Sequence, residues 1–210
     1  MRDDLVDVTV VLDRSGSMES CKVEAENGLN HFIDKQRQDS GECLFSLVQF
    51  DTDYEFVHQG EPIGKIPKFS LIPRGMTALL DAVGRAINET GERLVQMPES
   101  DRPGLVIFVI ITDGQENSSH EFTKAQIKEM IERQQNQYQW QFTFLGANQD
   151  AFAEAQALGI SAKATANYRP TAAYETFAGV ASNVSRMRKA KASGKSVACS
   201  YTDEERESMS

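Results

Sequence analysis

The sequence predicts a doubly wound α/β domain, with a mostly parallel sheet, one antiparallel edge strand and helices on both faces. Three observations predict it. Short, β-branched apolar runs alternate with segments of helical periodicity along the whole chain. The run "GLVIFVIIT" at 104–112 is continuously apolar, the mark of a parallel strand covered on both faces. No internal repeat or linker divides the chain, so one domain is expected.

Each element has its own local reason. Residues 5–12 form a valine-rich first strand. Residues 23–38 read as a helix, because Ala25, Leu29, Phe32, Ile33 and Gln36 fall on one face. After Gly41, "CLFSLVQF" at 43–50 is a second strand. The chain turns at 51–53, which makes 54–59 its hairpin partner at the sheet edge. A loop rich in Pro and Gly covers 60–75. A long helix over 77–97 turns Leu79, Val83, Ile87 and Leu94 inward. Strand 104–112 follows. Thr123 and Gln126 form a capping box for a helix carrying Ile127, Met130 and Ile131. "WQFTFLGA" at 140–147 is a strand whose Trp140 and phenylalanines belong to the core. Residues 150–158 form a helix stopped by Gly159. Residues 161–166 are a short edge strand. The last helix, 172–189, lines up Tyr174, Phe177, Ala181 and Val184. The domain is assigned to 1–190, and 191–210 reads as a flexible C-terminal tail in which Thr202 and Glu205 cap one short turn. The basic cluster Arg186, Arg188, Lys189, Lys191 and Lys195 reads as a solvated helix end.

Composition excludes several partner classes. The chain has 210 residues, 40% hydrophobic and 25% charged, ordinary for a soluble domain. Its net charge of −9 argues against nucleic acid, which needs a basic surface, and against an anionic membrane. No apolar run reaches membrane-spanning length, and the N-terminal residues lack a signal-peptide pattern. Cys21, Cys43 and Cys199 are odd in number and form no metal or redox spacing, with Cys43 expected in the core. A cytoplasmic location is the expectation.

In an open parallel sheet, ligands bind beyond the carboxyl ends of the strands. The pattern puts oxygen side chains there. Asp13, Ser15 and Ser17 follow the first strand; Thr112, Asp113 and Gly114 end the most apolar one; Thr77 opens the long helix; Asn148 follows "FTFLGA". If the first and fourth strands are neighbours, Asp13 and Asp113 face each other, and two close carboxylates need a cation to stay ionised. Hydroxyls nearby add oxygen without charge. An all-oxygen set suits Mg²⁺, with Mn²⁺ or Ca²⁺ as alternatives, and the absence of His and Cys disfavours zinc. Direct ligation by the neutral Ser15, Ser17 and Thr77 leaves the ion electrophilic and one position open for an anionic oxygen, such as a partner's Asp or Glu carboxylate. Gly16, Gly75 and Gly114 are expected to let the three loops turn tightly. Plainer readings stand beside this one: Thr77 as a helix N-cap only, the serines as caps, Asp113 as a turn former. Asp51 and Asp53 read as hairpin residues or an acidic rim, and His120 as a residue able to approach the crevice.

These residues resemble the metal-ion-dependent adhesion site of the von Willebrand factor type A (vWA) domain, whose fold is shared with integrin inserted domains. The pattern there is Asp-x-Ser-x-Ser, then Thr, then Asp. Here it reads Asp13-Arg14-Ser15-Gly16-Ser17, Thr77 within "GMTALLDA" and Asp113 within "ITDG". The resemblance covers roughly residues 4–190. It implies a Rossmann-like vWA fold in which Ser15, Ser17 and Thr77 touch the metal and Asp13 and Asp113 act largely through water. It also implies a protein-binding domain and not an enzyme. The compact form is similar to bacterial and phage intracellular members, including those of tellurium-resistance operons. Two other classes compete. One is a Mg²⁺-dependent phosphatase-like enzyme with Asp13 as nucleophile, although the haloacid-dehalogenase type needs an Asp where Ser15 stands. The other is a scaffold whose metal is purely structural.

Overall fold

The structure, a computed structural model, describes residues 1–147 and 150–209. Among these residues six strands build one sheet: β1 (Arg2–Asp13), β2 (Glu42–Phe50), β3 (Tyr54–Pro62), β4 (Pro103–Thr112), β5 (Gln141–Ala147) and β6 (Thr165–Tyr168). Their spatial order is β3-β2-β1-β4-β5-β6. Every neighbouring pair is parallel except the β2–β3 hairpin at the edge. The chain therefore winds outward from β1 in one direction and from β4 in the other. The β1–β4 gap is the switch point, where connections leave to opposite sides and a crevice opens. Leu12 lies opposite Ile111, so the two strands end level and carry Asp13 and Asp113 to the same crevice.

Among the described residues six helices cover the sheet: α1 (Lys22–Gln38), α2 (Leu79–Gln96), α3 (Lys124–Tyr138), α4 (Ala151–Ala157), α5 (Ala173–Ala192) and α6 (Asp203–Met209). Alternate residues of the central strands feed two cores. One packs against α1, α5 and α6, the other against α2, α3 and α4. The stripes read from the sequence on α1 and α2 are buried. Gly28 is why α1 and α5 approach so closely, since a Cβ there would stand 2.6 Å from Phe177. Trp140 stacks on Phe108 with ring centroids 5.5 Å apart. Tyr174 departs from its expected stripe: it is 39% exposed and leans on His31 at the surface.

The C-terminal stretch also departs from expectation, because residues 191–210 include packed structure. After Gly194 (φ +63°) the chain returns to the domain. The Tyr201 ring is buried, its hydroxyl 2.7 Å from the Thr143 hydroxyl. The Thr202–Glu205 capping box forms and starts α6. Met209 ends fully buried over Gly179, where any side chain would collide with it. The basic cluster is a solvated end only in part: Arg186, Lys189 and Lys195 are exposed, but three of its residues are engaged. Arg188 is buried and donates to the carbonyls of Gln36, Ser40 and Gly41, Arg186 pairs with Glu205, and Lys191 pairs with Asp3. Two boundaries shift as well: residues 162–164 are a tight turn and the last strand is Thr165–Tyr168. Among the described residues no helix is long and apolar enough to cross a membrane.

Candidate metal centre

Three loops meet over the switch point. The first follows β1. Asp13 is fully buried, and both its carboxylate oxygens are committed to the loops: Oδ1 accepts from the Ser15 amide (2.7 Å) and Oδ2 from the Thr112 hydroxyl (2.6 Å). That turn lifts the Ser15 hydroxyl to 2.9 Å from the Ser17 hydroxyl. Ser17 in turn donates to Asp113 Oδ1 at 2.6 Å, which ties the first loop to the one after β4. Asp113 Oδ2 is buried and has no hydrogen-bond partner. An orphaned buried carboxylate oxygen is costly and rare, and it points to an absent partner.

The third loop delivers Thr77. Its position depends on Gly75, whose backbone is left-handed (φ +70°) and whose missing Cβ leaves room for Thr52 and Asp51. The Gly75 carbonyl accepts from the Gly16 amide and the Arg14 carbonyl from the Arg74 amide, so the two loops are stitched together. Gly16 and Gly114 have no positive φ, so the expected turning freedom is realised at Gly75 alone. Gly114 serves differently. A Cβ there would lie 2.8 Å from the Thr77 hydroxyl, 3.5 Å from that of Ser17 and 3.6 Å from that of Ser15. The three hydroxyls thus converge on one small volume, which a side chain at position 114 would fill.

Thr77 is not the helix cap. The N-cap of α2 is Ala78, with no capping side chain. Glu116 and Ser119 take over that task by accepting from the Leu80 and Asp81 amides, while Asn117 accepts from the Thr77 amide. The capping work done from the facing loop leaves the Thr77 hydroxyl pointed at the serines. Asn148, which the sequence puts at the end of the fifth strand, lies outside the described residues. His120 is held by its backbone amide to Asp81, beside the cluster and not in it.

The electrostatics follow from burial. Burial pushes the Asp113 carboxyl up to about 6; the hydrogen bond from Ser17 opposes the shift and the nearby Asp13 charge adds to it. Burial raises Asp13 as well, against the bonds from Thr112 and Ser15. Asp51 behaves in the opposite way. Burial would raise it, but the Asp53 amide, Arg74 and Arg14 together hold it low. Its buried pair with Arg14 (2.7 Å) and its bond from Arg74 (2.9 Å) clamp both loops to the hairpin turn. The sequence showed Asp51 and Arg14 only as isolated charges, because their partnership spans 37 positions. The capping role of Glu116 and Ser119 was equally hidden in "DGQENSS".

Among the described residues no three His, Cys, Asp or Glu side chains group as a metal site. The donor set is instead three neutral hydroxyls with two carboxylates, one of them holding a free oxygen. That set fits a hard divalent cation.

No family model and no curated protein sequence matches the chain. Solved structures do. A proximal thread matrix protein from mussel byssus matches with a TM-score of 0.60 at 16% identity, over 89% of this chain and 46% of that one. Another structure of that protein is described with a zinc-occupied metal-ion-dependent adhesion site motif. A von Willebrand factor type A protein from Catenulispora acidiphila matches with a TM-score of 0.56 at 17% identity, over 89% and 42% of the two chains. The manganese-loaded TRAP protein of Plasmodium vivax matches with a TM-score of 0.55 at 15% identity, over 83% and 72%. The chain spans less than half the length of the first two of these proteins. At such identities the likeness is one of architecture, and strand order, helix placement and comparison agree: the chain has the von Willebrand factor type A fold.

Proposed function

We propose that the protein is a divalent-metal-dependent protein-binding module. Ser15, Ser17 and Thr77 would ligate Mg²⁺, and Asp13 and Asp113 would balance its charge, with Mn²⁺ or Ca²⁺ as alternatives. When bound, the ion supplies a Lewis-acidic position for a partner's Asp or Glu carboxylate. The observation that carries this reading is the convergence of three hydroxyls on one point beside the unpartnered Asp113 Oδ2. The protein's own groups do the positioning. Asp13 holds the Ser15 turn, Glu116 and Asn117 free Thr77, and the Arg14–Asp51 pair fixes the loops. The acidic balance of the chain supports a protein partner over nucleic acid or an anionic membrane. The three cysteines are all unpaired, which supports a reducing, cytoplasmic setting.

The phosphatase-like alternative asks Asp13 to attack a substrate. Its full burial and the commitment of both its oxygens to loop bonds weigh against that. The testing experiment is a pulldown with tagged protein in Mg²⁺ and in EDTA, beside the Ser15→Ala/Ser17→Ala variant. Calorimetric titration of the same proteins with Mg²⁺, Mn²⁺, Ca²⁺ and Zn²⁺ accompanies it. A partner retained only with metal and lost in the variant is the expected result. Equal retention in all three would make the metal structural or idle.

A further inference from the structure

A cleft of about 490 Å³ lies at the opposite end of the sheet from the metal centre, where β4 and β5 begin. The last turn of α3, the end of α5 and the segment after α5 complete its walls. In a chain of net charge −9, none of the residues lining it is acidic. Two are lysines, Lys191 and Lys195, and three are glutamines, Gln135, Gln139 and Gln141. Ammonium and carboxamide groups are both N–H donors, so the lining is rich in them.

Three local features hold these groups in place. Gly104 is the second residue of β4, and a Cβ there would stand 2.7 Å from the Arg2 carbonyl oxygen and 2.9 Å from Lys191 Cε. Only glycine lets the lysine stem cross the start of the strand. Lys195 is placed by the end of α5: Gly194 is left-handed (φ +63°), and the Lys195 amide donates to the Ala190 carbonyl at 2.9 Å. Gln139 is the one non-glycine residue of positive φ among the described residues (φ +57°). Helices usually place glycine at such a position, and a side chain kept there against backbone preference marks a use for it. The Gln139 carbonyl accepts from Gln141 Nε2 at 2.9 Å, which fixes a second carboxamide at the cleft.

The positive charges are not consumed inside the protein. Lys195 has no ion pair and no side-chain hydrogen bond among the described residues. Lys191 pairs with Asp3 at 2.9 Å, but the Asp3 side chain is 76% exposed, so the pair is screened and weak.

We propose that this cleft binds a small organic dianion of the dicarboxylate type. Two ammonium groups call for two negative charges, planar carboxamides match carboxylate oxygens, and the volume is that of a small-molecule site. The inference stands apart from the metal reading, because the two sites share no residue.

The test uses isotope-labelled full chain in buffer freed of metal by a chelating resin. It is titrated with glutarate, with the neutral isostere glutaramide and with inorganic phosphate. Glutarate is expected to move the amide signals of Gly104, Gln139, Gln141 and Ser196, and to bind about fivefold more tightly than glutaramide, the size of one partly exposed ion pair. Lys195→Gln should remove most of that difference, in protein whose remaining spectrum is unchanged. Asp3→Asn, which releases Lys191, should tighten glutarate binding about two- to fivefold. Lysines that served only the dipole of α5 would give no such gain. Equal binding of glutarate and glutaramide, shifts centred elsewhere, or no response to Asp3→Asn overturns the site. Phosphate binding more tightly than glutarate overturns the dicarboxylate assignment.

Discussion

Lowering the pH should turn the metal-free and metal-bound forms against each other. Burial, with the Asp13 charge beside it, pushes the Asp113 carboxyl up to about 6. A carboxyl whose folded-state value is raised holds its proton better folded than unfolded. Its contribution therefore favours the metal-free fold at low pH and is lost as pH rises through about 6. A divalent cation needs the deprotonated carboxylate and competes with that proton. With a value near 6, Asp113 is about nine-tenths ionised at pH 7 and about one-tenth ionised at pH 5. Apparent Mg²⁺ affinity should fall about tenfold across that interval, or ~1.4 kcal/mol of metal-linked stability. Titration calorimetry gives the affinity, and scanning calorimetry in EDTA and in Mg²⁺ gives the stability. Asp51 works in the other direction, since its depressed value is lost stability as pH falls. The informative quantity is thus the difference between wild type and Asp113→Asn. That variant should gain stability in EDTA near neutral pH, because an uncompensated buried charge is gone, and should lose its response to Mg²⁺. An affinity that stays flat between the two pH values would refute the reasoning. So would an Asp113→Asn protein that keeps the wild-type response to the metal.

Other perturbations separate the parts of the site. Ser17→Ala and Thr77→Val should each weaken Mg²⁺ binding by about 10–100-fold in calorimetric titration while secondary structure is kept. Asp51→Ala leaves Arg14 buried without its main counter-charge, and urea unfolding should show a loss of about 3–5 kcal/mol, with weaker metal binding as the loops loosen. Met209→Ala should cost about 2–4 kcal/mol by the same measurement, as expected for a core side chain and not for one in a mobile tail.

What could be read from the sequence followed rules that are local in the chain. The continuous apolar run 104–112 reads as a central parallel strand because both its faces must be covered, and the structure buries β4 throughout its second half. The alternation of strands and helices implied the switch point, and Asp-x-Ser-x-Ser marked it. The missed features depend on long-range pairing. Arg14 sits inside the motif yet finds Asp51 and Glu55 across the hairpin. Residues 195–202 lack any period, so nothing local announces that Tyr201 and Met209 will anchor them. Arg188 looks like one more charge in a basic helix end. Its burial depends on the carbonyls that α1 leaves unpaired at its C-terminal end, which only packing brings within reach.

Charge explains why partner recognition at such a site would be governed by metal. Arg14 and Arg74 are paired with Asp51, Glu55 and Asp53, so the crevice itself is left with Asp13 and Asp113. A partner carboxylate approaching that pair in a chain of net charge −9 would meet repulsion at close range. A divalent cation would bring the crevice to neutrality. If Ser15, Ser17 and Thr77 supplied three of its oxygens, all uncharged, and with both Asp13 oxygens engaged elsewhere, the ion would keep its pull on a further anion. Had a third carboxylate stood at Ser15 or Ser17, the site would bind metal more tightly and a partner less. On the proposed reading, the hydroxyl choice would exchange metal affinity for partner affinity. On that account Ser17→Asp should raise Mg²⁺ affinity while abolishing Mg²⁺-dependent capture of an acidic partner, and a variant that gained both would show the argument to be wrong.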